Sequence, residues 1–324
     1  MGITLVTGGT GYLGRYLIDS LLEDEVPVRA LVYSEWKGEE LAERGVEVIF
    51  GDVTDPETLD CSALASGVDT VFHLVGGGND GRVNPHLINT EGTRNLVTAG
   101  WPAGEPAGLR ALLYVSSSSV YGRSAGPVDE ETPPAPRIDY SRSKLDAESL
   151  LLALAPRFPV MIARMAGIYG PAAPMLGTKL VRSGQMRITG DGQNSISIIH
   201  VEDAVQGLRA MAARGRPGRI YCLGDDEPLP LYLFHNHFAQ LIDAPPVRTA
   251  SLRKVQLMVR VVTFLARLVG RPSPLTQTLI EMSTLNVMMK NGRMRDELGV
   301  ELRYATYSEG LAHCADRLAA EEKE

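Results

Sequence analysis

Three glycines that follow the first predicted strand constrain the fold more than any other feature of this chain. An apolar run over residues 2–7 leads directly into Gly8, Gly11 and Gly14, and apolar periodicity predicts a helix over residues 12–22. Gly8 permits a tight turn, Gly11 lets the backbone approach a pyrophosphate, and Gly14 lets helix and strand pack closely. A phosphate held by the turn also meets the helix N-terminus. The pattern predicts dinucleotide binding rather than an ordinary glycine-rich turn.

Apolar runs and helical patterns alternate through the first half of the chain. Strands are predicted over residues 28–32, 46–50, 70–75, 111–115 and 160–164. Helices are predicted from residue 55, over residues 85–99 and over residues 140–155. Because strands that are buried on both faces read as continuous apolar runs, the alternation predicts an α/β fold with a Rossmann-type doubly wound parallel sheet.

The pattern becomes less regular after Gly170. The elements predicted there are a helix at 175–183, a strand at 196–200, a helix at 201–213, a strand at 219–223 and a mostly helical remainder. We predict that residues 1–170 form the dinucleotide-binding Rossmann domain and that residues 196–223 return to it. Residues 171–195 and 224–324 then form a smaller, mostly helical C-terminal lobe that covers a substrate.

Composition narrows the class of protein. The 324 residues are 44% hydrophobic and carry a net charge of -7, so no global basic field favours nucleic acid as a partner. No run reaches the roughly 18 apolar residues of a membrane span, and we expect no integral membrane segment. Three widely spaced cysteines suit a reducing compartment, and we expect a cytoplasmic location. His235 and His237 face different sides of a helix, and we predict no metal.

Tyr140 and Lys144 suggest proton chemistry. Four residues apart on one helix face, they place an ammonium near a phenol, which favours the phenolate and brings the hydroxyl toward neutral-pH acid–base work. The spacing alone would fit an ordinary solvated helix face. A serine run, residues 116–119, ends a predicted strand shortly before the tyrosine and strengthens the catalytic interpretation.

The end of the second strand bears on the choice of cofactor. Tyr33 stands where dinucleotide folds choose between a ribose hydroxyl and a 2′-phosphate, and no carboxylate ends that strand. With Arg29 and Lys37 nearby, we predict NADP over NAD, although Glu35 is close. Asp52 is placed for the adenine, and the glycines at 76–78 for the middle of the cofactor.

Further motifs accompany these features: Gly51-Asp52-Val53, residues 89–93, Val120-Tyr121-Gly122, residues 168–171 and residues 200–203. With the glycine turn and the tyrosine–lysine pair, the chain resembles the extended short-chain dehydrogenase/reductases, including the NAD(P)-dependent epimerase/dehydratase group. The resemblance extends over nearly the whole chain. It is specific for the family and not for a substrate, and it implies a homodimer that commonly forms through helices such as the one that carries Tyr140.

The resemblance also implies roles for individual residues. Tyr140 would exchange a proton with a substrate oxygen, Lys144 would lower the pKa of that tyrosine and hold the nicotinamide ribose, and Ser117 would hydrogen-bond to the same oxygen, with Ser116 and Ser118 as alternatives. The cofactor-binding set is Gly8, Thr10, Gly11, Tyr12, Leu13, Gly14, Tyr33, Lys37, Asp52, Val53, Leu74, Val75, Gly76, Tyr140 and Lys144. The substrate-binding set is Ser118, Tyr121, Gly167 and Ile168.

Departures from the family narrow the chemistry that the resemblance implies. Dehydratases of this kind carry a carboxylate in the three residues before Tyr121, where this chain has two serines and a valine. Nucleotide-sugar epimerases typically carry an asparagine in place of Gly167 and an arginine in place of Ile196. The segment from Arg164 to Gly170 instead resembles hydroxysteroid-dehydrogenase-like and dihydroflavonol-reductase-like members, which act on apolar alcohols and ketones.

The late sequence agrees with that subgroup. Residues 273–276 and 291–293 resemble its tail. Residues 255–270 are apolar with two arginines and could line a lipophilic pocket or touch a membrane surface, but core or a packed lid is the expectation.

The leading hypothesis is an NAD(P)-dependent oxidoreductase that interconverts a carbonyl and a secondary alcohol on a small, moderately apolar substrate. It would use the Ser117, Tyr140 and Lys144 triad. One alternative is an NAD(P)-dependent nucleotide-sugar epimerase, in which the same triad oxidises and re-reduces one carbon. Another, of a different class, is a dinucleotide-binding protein without catalytic activity.

Overall fold

The computed structural model describes residues 2–78, 83–270, 273 and 276–322. Its strands, in chain order, are β1 (Ile3–Thr7), β2 (Val28–Val32), β3 (Glu47–Phe50), β4 (Val68–His73), β5 (Ala111–Ser117), β6 (Arg123–Val128), β7 (Val160–Met165), β8 (Gly167–Tyr169), β9 (Arg187–Thr189), β10 (Ser195–Ile196), β11 (Ile198–His200), β12 (Ile220–Leu223), β13 (Leu229–Pro230), β14 (Arg248–Ala250) and β15 (Asn286–Met289). Its α-helices are α1 (Tyr12–Glu23), α2 (Glu35–Ala42), α3 (Cys61–Ala65), α4 (Gly92–Gly100), α5 (Asp139–Leu154), α6 (Thr178–Arg182), α7 (Val201–Arg214), α8 (Leu231–Leu241), α9 (Leu252–Leu268), α10 (Gln277–Ser283), α11 (Gly292–Asp296) and α12 (Tyr307–Glu321).

Seven strands form one parallel sheet in the order β12-β7-β5-β4-β1-β2-β3. The chain winds outward from β1 in both directions, so the order reverses beside β1 and opens a crevice at the carboxyl ends of β1 and β4. The predicted α/β class and doubly wound sheet are confirmed. The boundaries that we place at residues 170, 195 and 223 stay a prediction.

Apolar clusters cover both faces of the sheet. On one face, α1 and α7 pack on the strands through side chains such as Leu17, Ile18 and Leu208. On the other, α3, α4 and α5 pack through side chains such as Leu64, Leu96 and Leu151. A third cluster, which includes Phe234 and Phe238 of α8, has its buried members between Tyr169 and Cys314. Burial on both faces is why the central strands read as unbroken apolar runs.

The strand predicted over residues 196–200 is wrong as a single strand. Ile196 pairs with Leu229, whereas β11 pairs with β8, and neither pair belongs to the main sheet. The break lies at Ser197, whose hydroxyl accepts from the Met289 amide at 2.6 Å and donates to the Val287 carbonyl at 3.3 Å. A partner about 90 residues away in sequence therefore interrupts the strand.

Two further expectations need correction. The helix predicted at 85–99 begins as a π-helix over His86–Glu91 before it continues as α4. Residues 255–270 are not core or a packed lid: only Val259 and Ala266 of α9 are buried, and much of the helix is exposed. Of residues 273–276, whose sequence resembles the tail of the family, 274 and 275 lie outside the described residues.

A buried ion pair joins α5 to the sheet. Glu148 of α5 and Arg164 of β7 are both almost fully buried, and their closest nitrogen and oxygen atoms are 2.8 Å apart. Arg164 also donates to the Tyr121 hydroxyl at 3.0 Å, and Ser116 at the end of β5 donates to the Glu148 carboxylate. Two buried charges are tolerated because each has several partners. This network fixes how α5 lies against β5 and β7.

We predict that Glu148→Gln lowers the free energy of unfolding by about 3–5 kcal/mol, because it leaves the Arg164 guanidinium buried without its counter-charge. Denaturant titration of the purified chain measures the change. Glu40→Gln is the matched control: its pair with Arg15 is about half exposed, and it should change stability by about 1 kcal/mol or less. Equal losses for the two variants would contradict this account.

Candidate active site

The glycine turn is shaped to hold a pyrophosphate. Gly8 has φ +74°, and a Cβ on Gly14 would lie 2.3 Å from the Gly8 carbonyl oxygen. A Cβ on Gly11 would meet only that same oxygen within 4 Å, so this side of the turn is open. Gly11 is the N-cap residue of α1, and the first turn of this helix has no side-chain cap and no acidic residue. The helix N-terminus is therefore free to bind an anion, and the residues present fit a dinucleotide.

Other residues predicted to bind the cofactor lie along the same edge of the sheet. Asp52 follows β3, and its carboxylate accepts from the Thr54 amide and hydroxyl, both at 2.8 Å. After β4, Gly77 exchanges two hydrogen bonds with the side chain of Asn89 in the π-helix. A Cβ on Gly76 would lie 2.8 Å from the Lys144 Nζ, so a side chain at this position would displace the Lys144 ammonium. The residues placed at this edge are Gly8, Thr10, Gly11, Gly14, Asp52, Leu74, Val75 and Gly76.

Several members of that set have other roles for their side chains. Leu13 and Val53 are buried in the two apolar clusters that cover the sheet, so only their backbone can face a ligand. The Tyr12 hydroxyl donates to the Pro171 carbonyl at 3.0 Å and connects α1 to the chain after β8. Tyr33 is 71% exposed at the end of β2, and Lys37 is half-buried on α2 with its ammonium 5.5 Å from the Trp36 ring centroid.

The suggestion that Arg29 helps to bind a 2′-phosphate is wrong. Arg29 is buried, donates to the carbonyls of Ala63 and Ser66 at 2.7 and 2.9 Å, and forms an ion pair with Glu47. Its partner on the neighbouring strand, Glu47, lies 18 positions later in the sequence. The residues next to Arg29 therefore gave no indication that its charge is paired. Of the two cations that suggested NADP, Lys37 is the one near the end of β2.

Lys144 is buried between the ends of two strands. Its ammonium donates to the Val115 carbonyl at 2.9 Å and to the Val75 carbonyl at 3.3 Å, and it lies 4.8 Å from the centroid of the Tyr114 ring. Burial lowers the pKa of Lys144 to about 7, and the carboxylate of Glu148 opposes that shift. The lysine therefore binds the loop after β4 to α5 and carries a labile proton near neutral pH.

Tyr140 and Ser117 interact at the carboxyl end of β5. Burial raises the pKa of Tyr140, and a side-chain hydrogen bond with Ser117 partly offsets the rise. The phenol is therefore protonated at neutral pH in the absence of a ligand. Asn89 and Thr90 of the π-helix bond to Ser143, which fixes the turn of α5 between Tyr140 and Lys144.

The structure separates the members of the serine run. Ser116 faces Glu148, and the Ser119 hydroxyl accepts from Ser141 at 2.8 Å. Ser117 is half-buried and turns its hydroxyl toward Tyr140, and its oxygen also accepts from the Ser119 amide at 3.2 Å. This geometry favours Ser117 as the partner of Tyr140 over Ser116.

A cavity of ≈ 480 Å³ opens beside Ser117. Its wall combines the end of β5, the chain after β7, strand β9, helix α8 and helix α10. Much of the lining is apolar, and examples are Met165, Met175, Met186, Ile196, Leu279 and Met282. A cavity of this size and character suits a small apolar molecule.

The residues predicted to bind substrate divide between two environments. Ser118 and Gly167 line the cavity. Tyr121 is buried with its hydroxyl bonded to the Asp129 carbonyl at 2.7 Å, and Ile168 packs against the core. The side chains of Tyr121 and Ile168 thus serve the packing behind the site, and a direct contact with substrate stays a prediction for Ser118 and Gly167.

Sequence reasoning missed His235 as a cavity residue. It is 97% buried on α8, lines the cavity, and its Nδ1 has no protein hydrogen-bond partner among the described residues. Burial lowers the pKa of His235 to about 4, so a neutral imidazole faces the apolar lining. The local sequence gave no signal, because the cavity is assembled from segments far apart in the chain.

A separate cluster near α12 could bind a metal ion. Ligand atoms of His200, Glu202 and His313 lie within 4.8 Å of one another. All three already have partners: the His200 Nδ1 accepts from the Glu202 amide, the His200 Nε2 and the His313 Nδ1 share a hydrogen bond at 3.3 Å, and the Glu202 carboxylate pairs with Arg303 at 2.8 Å. The expectation that the protein holds no metal stays a prediction.

The sequence matches the NAD dependent epimerase/dehydratase family over residues 4–224. The chain belongs to this family. A 2-alkyl-3-oxoalkanoate reductase of Stenotrophomonas maltophilia is 32% identical over 86% of this chain and 88% of the relative. A 3 beta-hydroxysteroid dehydrogenase/Delta 5-->4-isomerase of Mycobacterium tuberculosis is 29% identical over 97% of this chain and 90% of the relative.

A solved structure of dTDP-glucose 4,6-dehydratase from Bacillus anthracis in complex with NAD matches with a TM-score of 0.77. It is 20% identical and covers 100% of this chain and 98% of its own, a likeness that shows the fold alone. The predicted extended short-chain dehydrogenase/reductase family is confirmed, and the chain is an NAD(P)-dependent enzyme.

Among the described residues, no helix is long and apolar enough to cross a bilayer. The homodimer stays a prediction.

We predict that the buried lysine makes stability rise with pH. The pKa of Lys144 is about 7 in the folded chain and about 10.4 in an unfolded one, so between these values the unfolded chain binds the additional proton. From pH 7 to pH 9 the wild type should gain up to about 1.4 kcal/mol per pH unit relative to Lys144→Met. Denaturant unfolding of wild type and Lys144→Met at each pH measures the difference between their free energies of unfolding. The contributions of the other titrating groups cancel in this difference. Lys179→Met, at an exposed lysine, should keep the wild-type slope, and a Lys144→Met slope equal to wild type would refute the prediction.

Proposed function

We propose that this enzyme interconverts a carbonyl and a secondary alcohol on a small, moderately apolar substrate. The observation that carries the proposal is the apolar cavity beside Ser117, whose side chain interacts with that of Tyr140. A ketone that entered this cavity would direct its polar oxygen toward the serines, since these are the polar groups nearest the phenol. Two relatives are named for keto and hydroxy substrates with apolar carbon frames, which supports the same class.

In the direction of reduction, Ser117 and Tyr140 both bond to the carbonyl oxygen. The dinucleotide, when bound along the glycine turn, supplies the hydride to the carbonyl carbon. Tyr140 transfers its proton to that oxygen as the alcohol forms, and the raised pKa of the free tyrosine means that the proton is present at neutral pH. Lys144 then stabilises the tyrosinate, and it would also hold the ribose beside Gly76. Alcohol oxidation reverses each step.

Two features oppose the nucleotide-sugar epimerase alternative. Ile196 contributes an apolar side chain to the cavity where such epimerases carry an arginine. A Cβ on Gly167 would lie 3.2 Å from the Met175 side chain, so Met175 would have to shift to admit an asparagine. The third hypothesis, a binder without activity, leaves the arrangement of Ser117, Tyr140 and Lys144 without a purpose.

We expect the enzyme to oxidise NADPH when it is given apolar aryl or alicyclic ketones. Tyr140→Phe should lower turnover by about 10²–10⁴-fold because the proton donor is lost, while dinucleotide binding is retained. Ser117→Ala should lower it as well. Ser118→Ala is the control within the same run and should affect KM more than kcat. The readout is loss of reduced-nicotinamide absorbance. Full turnover by folded Tyr140→Phe would refute the assigned role.

The preference for NADP over NAD is also part of the proposal and depends on Lys37. Lys37→Glu should lower the ratio of NADPH to NADH efficiency by about 10–100-fold, because it replaces a charge-assisted phosphate contact with repulsion. Arg29→Gln is the contrasting variant: it should lower the melting temperature and leave that ratio unchanged, since the Arg29 guanidinium binds the carbonyl groups at the C-terminal end of α3. An unchanged ratio in Lys37→Glu would exclude Lys37 from phosphate recognition.

A further inference from the structure

Helix α9 presents an apolar face to solvent. Four apolar residues of this face are spaced four, three and four positions apart along the helix. They are Leu257 (63% exposed), Val261 (49%), Phe264 (61%) and Leu268 (68%). Leu265 extends the same face and is 54% exposed. Isolated exposed apolar residues are common, but a row of this length along one helix marks a contact surface. We call these five residues the apolar face of α9.

A row of arginines borders the apolar face. The row consists of Arg253, Arg260 and Arg267, each seven residues after the one before. This spacing places them on one side of the helix, next to the apolar residues of α9. Lys254 adds a fourth cation, and residues 252–270 contain no aspartate or glutamate. This local charge stands out in a chain whose net charge is -7. An apolar face with a basic border is the pattern of a helix that lies in a membrane interface.

We propose that the apolar face of α9 docks on the surface of an anionic lipid bilayer. The helix lies in the plane of the interface, its apolar side chains enter the region between headgroups and acyl chains, and the arginines reach anionic headgroups. The 17-residue helix with its four cations does not span the bilayer. The occupant is therefore a lipid surface that the protein touches from one side.

Charge argues against a second copy of this chain as the occupant. Two antiparallel copies of α9 related by a two-fold axis would bring both arginine rows to the same side of the contact. No carboxylate on α9 could pair with them, because residues 252–270 contain none. Like charges that face each other destabilise such a pairing. Anionic headgroups offer the opposite charge.

Docking through α9 would bring the cavity close to the lipid. Helix α9 packs against α10, and two side chains of α10, Leu279 and Met282, line the cavity beside Ser117. Leu279 is itself 38% exposed. An apolar substrate that dissolves in the bilayer could then enter past α10 without crossing water; this consequence, unlike the docking, rests on the proposed function.

Vesicle flotation of the full chain without detergent tests the docking. We expect wild type to float with phosphatidylcholine vesicles that contain about 30% phosphatidylglycerol, to bind far less to pure phosphatidylcholine, and to lose binding as salt is raised. A variant of the apolar face should lose about tenfold or more in affinity; its changes are Leu257→Ser, Phe264→Ser and Leu268→Ser. An arginine-row variant should lose about a hundredfold, since each cation near an anionic surface contributes about fivefold; its changes are Arg253→Gln, Arg260→Gln and Arg267→Gln.

The matched control removes three exposed arginines elsewhere and should bind like wild type; its changes are Arg94→Gln, Arg110→Gln and Arg157→Gln. Circular dichroism melts show whether each variant is folded, and hydrogen exchange of wild-type α9 should slow with anionic vesicles even where a variant fails to fold. The proposal would be overturned if wild type did not bind the anionic vesicles. It would also be overturned if the control variant and the arginine-row variant lost binding equally. Sedimentation in which the apolar-face variant converts a wild-type oligomer into a smaller species would overturn it as well, because the occupant is then a second copy.

NADPH oxidation on a water-soluble ketone separates this proposal from the proposed function. Vesicle binding without any turnover would count against the carbonyl chemistry alone. Turnover without vesicle binding would count against the docking alone.

Discussion

The buried ammonium of Lys144 is the constraint on which the site depends. A lysine charge is costly to remove from water, and here two backbone carbonyls, an aromatic face and a carboxylate one turn away share that cost. These partners come from the loop after β4, the end of β5 and α5. A change in the position of any one of them would remove one of the partners of the ammonium. Lys144 therefore fixes the relative positions of these three elements at the crevice formed by the carboxyl ends of the strands.

The polar network behind the lysine explains why that geometry is rigid. Glu148 receives hydrogen bonds from Ser116 and Arg164, and Arg164 continues to Tyr121. On the other side, Asn89 joins the glycine loop after β4 to Ser143 of α5. Tyr140 and Ser117 are only half-buried, whereas Ser116, Glu148 and Arg164 are almost fully buried. The catalytic candidates are therefore supported by a network that is shielded from solvent.

The parts of the fold that local sequence could predict were those that depend on local physics. The glycine turn needs a positive φ at Gly8 and close packing at Gly14, and strands buried on both faces need apolar runs, so both were readable. Arg29, the break at Ser197 and the cavity residue His235 depend on partners or walls from distant segments. Tyr121 belongs to a family motif, yet its hydroxyl faces Asp129 and Arg164, because a motif records position and not the direction of a side chain.

The proposed reaction is net transfer of hydride to a carbonyl at the Ser117–Tyr140 pair, and isotope labelling of the cofactor follows this transfer. The enzyme would be incubated with an apolar ketone and NADPH deuterated at C4 of the nicotinamide, with each face labelled in turn. We predict that one of the two labels appears at the carbinol carbon of the alcohol, in equal amount to the NADP⁺ formed. Consumption of NADPH with no label in the alcohol from either face would contradict it. So would isomerisation of a substrate with no net oxidation of the cofactor, which is the result expected of an epimerase.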